Sequence, residues 1–316
     1  MGSTGRATFG VYGGSVPIDR RQRPNRASAG WVGGSGRVDD VGQNGPMSTP
    51  SLVVLAAGRG TRFGGPKQLV AVTEDGATIS DVAIDRAAAA GIDRAVIVVS
   101  DAVIGPMSEH LARRVGRDVA LVEQGGTRGT AQALLAARDV TDGPVVVVNA
   151  DDVYPAATYE VAVEHLAGGA SAGHAVIGFA LAQTMYGTRP QSRALIDTDH
   201  GRLTGLREGT VSVNPTLTFT PKDDRRDAGK NAPGAAAPRE SLTGDELVSM
   251  NAMVLQRDIF DRLAAALEAS TADEVYLPDV VADLVADGVA VRVLPCDGAC
   301  HGLTYAEDVS TIAPLL

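Results

Sequence analysis

The chain has 316 residues, with 28 Lys and Arg against 38 Asp and Glu, a formal net charge of −10, 4% aromatic residues and two cysteines. That length supports a sizeable core, which must be aliphatic; two cysteines exclude a disulfide scaffold and a four-cysteine zinc site, and the acidic balance excludes a general nucleic-acid binder, which needs a basic face. No apolar run reaches the roughly 18 residues that span a bilayer, so no membrane span is expected and the cytoplasm is the default compartment.

In chain order, residues 1–46 stand apart. They hold six Arg, no Lys and three Asp, a net +3 against −13 for the remainder, with no sustained apolar period. Such a composition cannot bury enough surface to offset the entropy of ordering. A disordered N-terminal extension is expected over 1–46 and a folded domain over 47–316. The segment lacks the apolar stretch of a secretory signal. An Arg-rich, acid-poor start also fits an organelle transit peptide, and Met47, just before the first strand, is an alternative start.

From Ser51 the pattern alternates. Ser51 to Ala57 (SLVVLAA) is an apolar run of strand length. A helix follows from Ile79 to Ala90, a strand from Arg94 to Ser100 and a helix from Pro106 to Val115, with Pro106 at a tolerated first position. Then come a strand at Asp118 to Glu123, a helix at Gly129 to Asp139, a strand at Pro144 to Asn149 and a helix at Pro155 to Ala167. Strands this apolar, separated by helices, predict an α/β fold whose parallel sheet is covered on both faces. Ligands then bind beyond the carboxyl ends of the strands.

The second half is less regular. Strands are expected at His174 to Ala182, Arg193 to Asp197, Arg202 to Arg207, Leu247 to Leu255 and Val289 to Pro295. Helices are expected at Asp258 to Glu268, Glu274 to Asp287 and Ala306 to Leu315. Residues 221–241, rich in Asp, Arg, Ala, Gly and Pro, read as a flexible insertion.

Three segments carry chemistry. The loop Leu55 to Lys67, LAAGRGTRFGGPK, follows the first strand directly. Its glycines let backbone N–H groups converge on phosphate oxygens, and Arg62 and Lys67 add two cations. It is neither GxGxxG nor GxxxxGKS, which disfavours a dinucleotide fold or a P-loop. Asn149-Ala150-Asp151-Asp152-Val153-Tyr154 places two carboxylates at the end of the fourth strand, a setting of hard oxygens that suits Mg²⁺. Gln124 to Ala133, QGGTRGTAQA, follows the third strand. Its Gln amide can donate to and accept from a pyrimidine edge; the alternative is a plain loop feeding a helix capped near Thr127 or Thr130.

These segments resemble the nucleotidyltransferases that activate sugar 1-phosphates. GTRFGGPKQL is similar to the GSRYGGLKQL of a sugar-nucleotide pyrophosphorylase-like branch, and NADDVY to its NADDFYG. VSMNAMVLQRDIF, VYLPDVV and GLTYAED resemble its VSMNMWGFTPEIF, FFLPTVV and GVTYKED. The resemblance runs from about Ser51 to the C-terminus, outside 221–241. It implies a nucleotidyltransferase domain over 47–316, with a Rossmann-like, mostly parallel sheet of the nucleotide-diphospho-sugar transferase type and a smaller α+β C-terminal part. It implies nucleotide contacts at Ala57, Gly58, Gly60, Thr61, Gln124, Gly129 and Thr130, phosphate-facing cations at Arg62 and Lys67, a Mg²⁺ ligand at Asp151 and sugar contacts at Glu208 and Asn251.

The implied reaction joins an NTP to a sugar 1-phosphate, giving an NDP-sugar and pyrophosphate. The phosphate is already a nucleophile, so no Ser, Cys or His base is needed. Better-known transferases complete their metal site with an Asp in a segment like WLDTGT; here Cys300-His301-Gly302-Leu303-Thr304 lacks one. Two other readings stay open: a cytidylyl- or guanylyltransferase for another phosphorylated alcohol, and a non-catalytic sugar-nucleotide-binding protein. The sequence leaves a homo-oligomer open. Cys296, Cys300 and His301 lack a fourth zinc ligand, and His110, His165, His174 and His200 form no constellation.

Overall fold

The computed structural model describes residues 49–58, 63, 65–114, 118–222 and 240–316. The expected N-terminal extension and most of the expected insertion lie outside them, as do Gly60, Thr61 and Arg62. The first half runs β1 (Ser51–Ala56), α1 (Ile79–Ala89), β2 (Arg94–Val99), α2 (Asp101–Ala112), β3 (Asp118–Glu123), α3 (Gly129–Ala136), β4 (Val145–Asn149), the short β5 (Asp152–Val153) and α4 (Ala156–Leu166). The second half runs β6 (His174–Ala180), β7 (Gln191–Asp199), β8 (Arg202–Val213), β9 (Leu217–Pro221), β10 (Glu240–Ser241), β11 (Leu247–Leu255), α5 (Ile259–Ala269), α6 (Leu277–Ala286), β12 (Val291–Cys296), β13 (His301–Gly302) and α7 (Val309–Ile312).

All but β5 and β13 join one mixed sheet, in the order β10-β9-β8-β12-β6-β11-β4-β1-β2-β3, with β7 pairing β11 and β8. β1 lies parallel between β2 and β4, and β2 parallel to β3. β11 then enters antiparallel between β4 and β6, and β12 lies parallel to β6. The C-terminal strands therefore extend the sheet of the first half. The antiparallel ladder β7-β8-β9-β10 forms an arm at one end.

The reason for this layout is visible in β1. All six of its residues are buried. Leu52, Val54 and Ala56 pack with Ile84, Met107 and Tyr159 on one face, and Val53 and Leu55 with Leu134, Val147 and Met253 on the other. A strand with no polar face needs helices on both sides, and each buried aliphatic side chain stabilises the fold by about 1.5–3 kcal/mol.

Four expectations shift. The second helix starts at Asp101, not at Pro106, which lies inside it. Val103 N–H and Ile104 N–H donate to the Ser100 carbonyl and open the helix a turn early, while Pro106 sits on the exposed face, where water can serve the carbonyl it leaves unpaired. β8 runs on to Val213, because β9 folds back along it. The ends of the 221–241 segment are strand: Glu240 and Ser241 pair with Phe219 and Thr218. The closing helix is only the four-residue α7 between 3₁₀ turns. No helix among the described residues is long and apolar enough to cross a membrane.

Candidate functional site

The carboxyl ends of β1, β3 and β4 open onto a cleft of about 1380 Å³, larger than the roughly 300–1,000 Å³ of a typical single-ligand pocket. Ala57 and Gly58 come to it from the end of β1, Gln124 from β3, Asn149 and Asp151 from β4. Glu208 on β8 and Asn251 on β11 reach it from the other wall, and Gly129 and Thr130 from the start of α3. Every expected site residue that is described lines this cleft except Lys67, which reaches it through Asp151.

Lys67 Nζ donates to the Asp151 carboxylate and lies 3.5 Å from the Leu303 carbonyl. Its place is fixed from the chain on either side. Gly65 and Pro66 carbonyls accept from Lys67 N–H and Leu69 N–H, and buried Gln68 donates its amide to the Gly58 carbonyl. Asp151 is fixed by the C-terminal GLTYAED segment. Leu303 N–H donates to the Asp151 carbonyl at 2.6 Å, and β13 pairs antiparallel with β5, Gly302 opposite Asp152. Glycine is required there, since a Cβ at 302 would come within 2.6 Å of Asp152 Oδ1. Asp308 then accepts from Thr304 N–H and Tyr305 N–H at 3.0 and 2.7 Å and closes the turn. The stretch 300–304, which lacks an acidic residue, thus braces the carboxylate instead of supplying another.

The two aspartates have different environments. Asp151 is about one-third exposed at the cleft. Asp152 turns inward, accepting from Asn149 Nδ2 at 2.9 Å and meeting the Tyr154 hydroxyl at 3.2 Å. Burial, then the adjacent Asp151 charge, pushes its carboxyl up to about 7. The hydrogen bonds agree with a retained proton. The Tyr154 hydroxyl already donates to the Met250 carbonyl at 2.6 Å and accepts from Asn149 N–H, so a donor on Asp152 completes the set. Met250 stands at an irregularity in β11 between Ser249 and Met253. There Asn251 takes a left-handed φ of 58°, with its N–H on Ser249 Oγ, which turns this residue out of the ladder and onto the cleft wall.

At the other end, Gln124 Nε2 donates to the Gly129 carbonyl at 3.1 Å. Gly129 has φ 81°, and a Cβ there would lie 2.5 Å from the Val275 carbonyl. The VYLPDVV segment docks on this spot: Val275 N–H donates to the Arg128 carbonyl, Ala131 N–H to Val275 and Leu277 N–H to Thr130 Oγ1. The Thr130 hydroxyl therefore fastens α6 to α3, a structural duty beside its place at the cleft. Gly129→Ala is expected to cost roughly 1–3 kcal/mol through the left-handed backbone alone, measured by denaturant unfolding, and to push the Val275 carbonyl and the 270–276 wall aside. Wild-type stability in this variant would refute the clash.

The chain matches the MobA-like NTP transferase domain family over residues 52–282. It belongs to that family. The protein is 31% identical over 255 residues to the bifunctional protein GlmU of Azorhizobium caulinodans, covering 77% of this chain and 48% of that one. It is 38% identical over 109 residues to the GlmU of Caulobacter vibrioides, covering 34% and 23%. The matches thus span less than half the length of either GlmU. Two solved structures share the fold. One is the inositol-1-phosphate CTP transferase from T. maritima (TM-score 0.57, 15% identity, covering 85% of this chain and 95% of that one). The other is a putative glucose-1-phosphate thymidylyltransferase from Bacillus anthracis in complex with a sucrose (TM-score 0.60, 14% identity, covering 84% and 95%).

In this MobA-like transferase, no cluster of three or more His, Cys, Asp or Glu among the described residues could hold a metal by itself. Mg²⁺ does not need one: it binds through one or two carboxylates and completes its shell with waters and substrate phosphates. Asp151, about one-third exposed at the cleft, fits that donor set, and Asp152, turned inward, does not. Asp297 is exposed beyond β12 and off the cleft. Cys296 and Cys300 are buried and free, and burial pushes both thiols up.

His110 and His174 are buried and partnered, on Asp81 Oδ2 at 2.7 Å and on Gln256 N–H at 3.2 Å. His165 bonds the Gly173 carbonyl. Sequence reasoning missed several parts of the wall, among them residues 100–102, Arg128, residues 270–274, Tyr276 and Lys222. Tyr276 had a signal, because it belongs to a recognised segment. Lys222 had none, since it falls in a stretch whose composition reads as flexible.

Proposed function

We propose that this chain transfers a nucleotidyl group from an NTP to a sugar 1-phosphate, releasing pyrophosphate. The observation that carries the reading is the convergence of Asp151, Lys67, Gln124, Glu208 and Asn251, from five separate segments, on one cleft. Bound at Asp151, Mg²⁺ would neutralise phosphate charge. Lys67 holds the phosphates near Asp151. Gln124 faces the base, and Glu208 and Asn251 take the hydroxyls of the acceptor. Arg62, outside the described residues, stabilises charge on the departing pyrophosphate. The acceptor phosphate attacks the α-phosphorus and the α–β bridging oxygen leaves with pyrophosphate, so the chain supplies alignment and charge rather than a base. We place the protein in the cytoplasm.

Gln124 offers the base an acceptor. Its Nε2 points to two acceptors, the Gly129 carbonyl and, at 3.5 Å, Gln132 Oε1. Gln132 Oε1 is itself fixed as an acceptor by Arg128 N–H at 2.7 Å. The amide orientation follows from these partners, and Oε1 is left without one among the described residues. An acceptor there takes a donor from the base, either the ring N–H of uracil, thymine or guanine or the exocyclic amino group of cytosine, adenine or guanine, so it orients a base without selecting one by itself. Leaving that buried contact unmade would cost about 1–3 kcal/mol, so Gln124→Leu is expected to raise the KM for the preferred NTP roughly 10- to 100-fold. The check is a panel of five nucleotides crossed with several sugar 1-phosphates, read by pyrophosphate release. An unchanged KM in Gln124→Leu overturns the base contact, and no release with any pair overturns transfer.

A further inference from the structure

From the geometry of the far wall we infer that Lys222 is a substrate-binding residue that holds the phosphate of the acceptor, acting as one unit with Glu208. This rests on the transfer reading above. The position of Lys222 is set by the backbone. β9 runs antiparallel to β8 with Pro221 opposite Gly209, and Lys222 N–H donates to the Glu208 carbonyl at 2.9 Å. Lys222 therefore stands directly across from Glu208. Its Nζ lies 3.2 Å from Ser192 Oγ and 3.7 Å from Glu208 Oε2, and both side chains line the cleft.

The other described cations near the cleft are committed. Arg128 lines it, but its guanidinium donates to the carbonyls of Leu267 and Ser270 at 2.8 Å each, with Ala272 at 3.5 Å. Lys67 is held by Asp151. Lys222 keeps spare capacity: an ammonium has three donors, one reaches Ser192, and the 3.7 Å separation from Glu208 is a Coulombic contact rather than a hydrogen bond. Both partners are nearly half exposed, so the pair itself adds little stability and its ends are open to a ligand.

Chemistry then divides the two roles. A carboxylate only accepts hydrogen bonds, so Glu208 suits hydroxyls and repels a phosphate. A neighbouring ammonium cancels that repulsion and donates to phosphate oxygens. The chemical class recognised is a phosphorylated polyol, with hydroxyls on Glu208 and the anionic oxygens on Lys222. The nucleotide, anchored at Gln124 and Asp151, does not need this cation.

The test is Lys222→Met beside Lys222→Arg, with both KM values measured. Lys222→Met is expected to raise the KM of the sugar phosphate tenfold or more and to leave that of the NTP unchanged, and Lys222→Arg is expected to restore most of the loss. Calorimetry with glucose 1-phosphate and inositol 1-phosphate gives a second reading that needs no turnover. Wild type should bind at least one of them, and Lys222→Met should bind it tenfold or more weakly. Equal binding by wild type and Lys222→Met, no binding of either ester, or a rise in the NTP KM instead, overturns the inference. Weakened binding without pyrophosphate release from any pair supports it while refuting transfer.

Discussion

Asp151→Asn is expected to reduce nucleotidyl transfer by roughly 10²–10³-fold, the usual loss when one charge-stabilising group is removed from the reacting centre, with the fold intact. The backbone at 151 is held by the Leu303 N–H bond, which the substitution leaves in place, and the side chain is about one-third exposed. Asparagine keeps the size and a carbonyl oxygen for Lys67 but loses the charge that holds a divalent cation. The measurement pairs pyrophosphate release with Mn²⁺ binding by electron paramagnetic resonance and a melting curve. Loss of turnover and metal binding with an unchanged midpoint is the expected pattern. Wild-type turnover in Asp151→Asn would refute the assignment of this residue.

Lys67→Met should act on two observables in opposite directions. Turnover should fall, again by roughly 10²–10³-fold, because a phosphate-facing cation is gone. Affinity for Mn²⁺ in the absence of nucleotide should rise several-fold. The ammonium and a metal ion would compete for the same Asp151 carboxylate, and two cations there repel each other, an effect that solvent and salt screen at this part-exposed site. Lys67 is the counter-ion of Asp151 in the structure, and we propose that substrate phosphates would offer the ammonium another partner. A Lys67→Met variant that lost turnover with unaltered or weaker Mn²⁺ binding would show that the two cations do not share the carboxylate.

Much of the candidate site was legible because it is local. The glycine-rich loop, the NADD turn and the QGGTRG loop each follow an apolar run, and each emerges at the carboxyl end of a strand in one sheet. The GLTYAED segment was recognised as a signature, yet its duty was not readable. Gly302 is dictated by Asp152, some 150 residues earlier in the chain, and Leu303 binds both Lys67 and Asp151 through its backbone. Thr130 was read as a nucleotide contact, and its hydroxyl proves to be an acceptor for Leu277 N–H. No sequence spacing signals such a bond.

What the sequence determined by itself was the alternation of strand and helix in the first half, the two-faced aliphatic core and the residue types able to handle phosphate and metal. Those follow from hydrophobic period and side-chain chemistry, which act over a few residues. Tertiary structure alone decided that β11 enters antiparallel beside β4, that Asp151 faces the cleft while Asp152 turns inward, and that Lys222 stands opposite Glu208. Each of these depends on strand order, register and burial, and those are set by the packing of distant segments against one another.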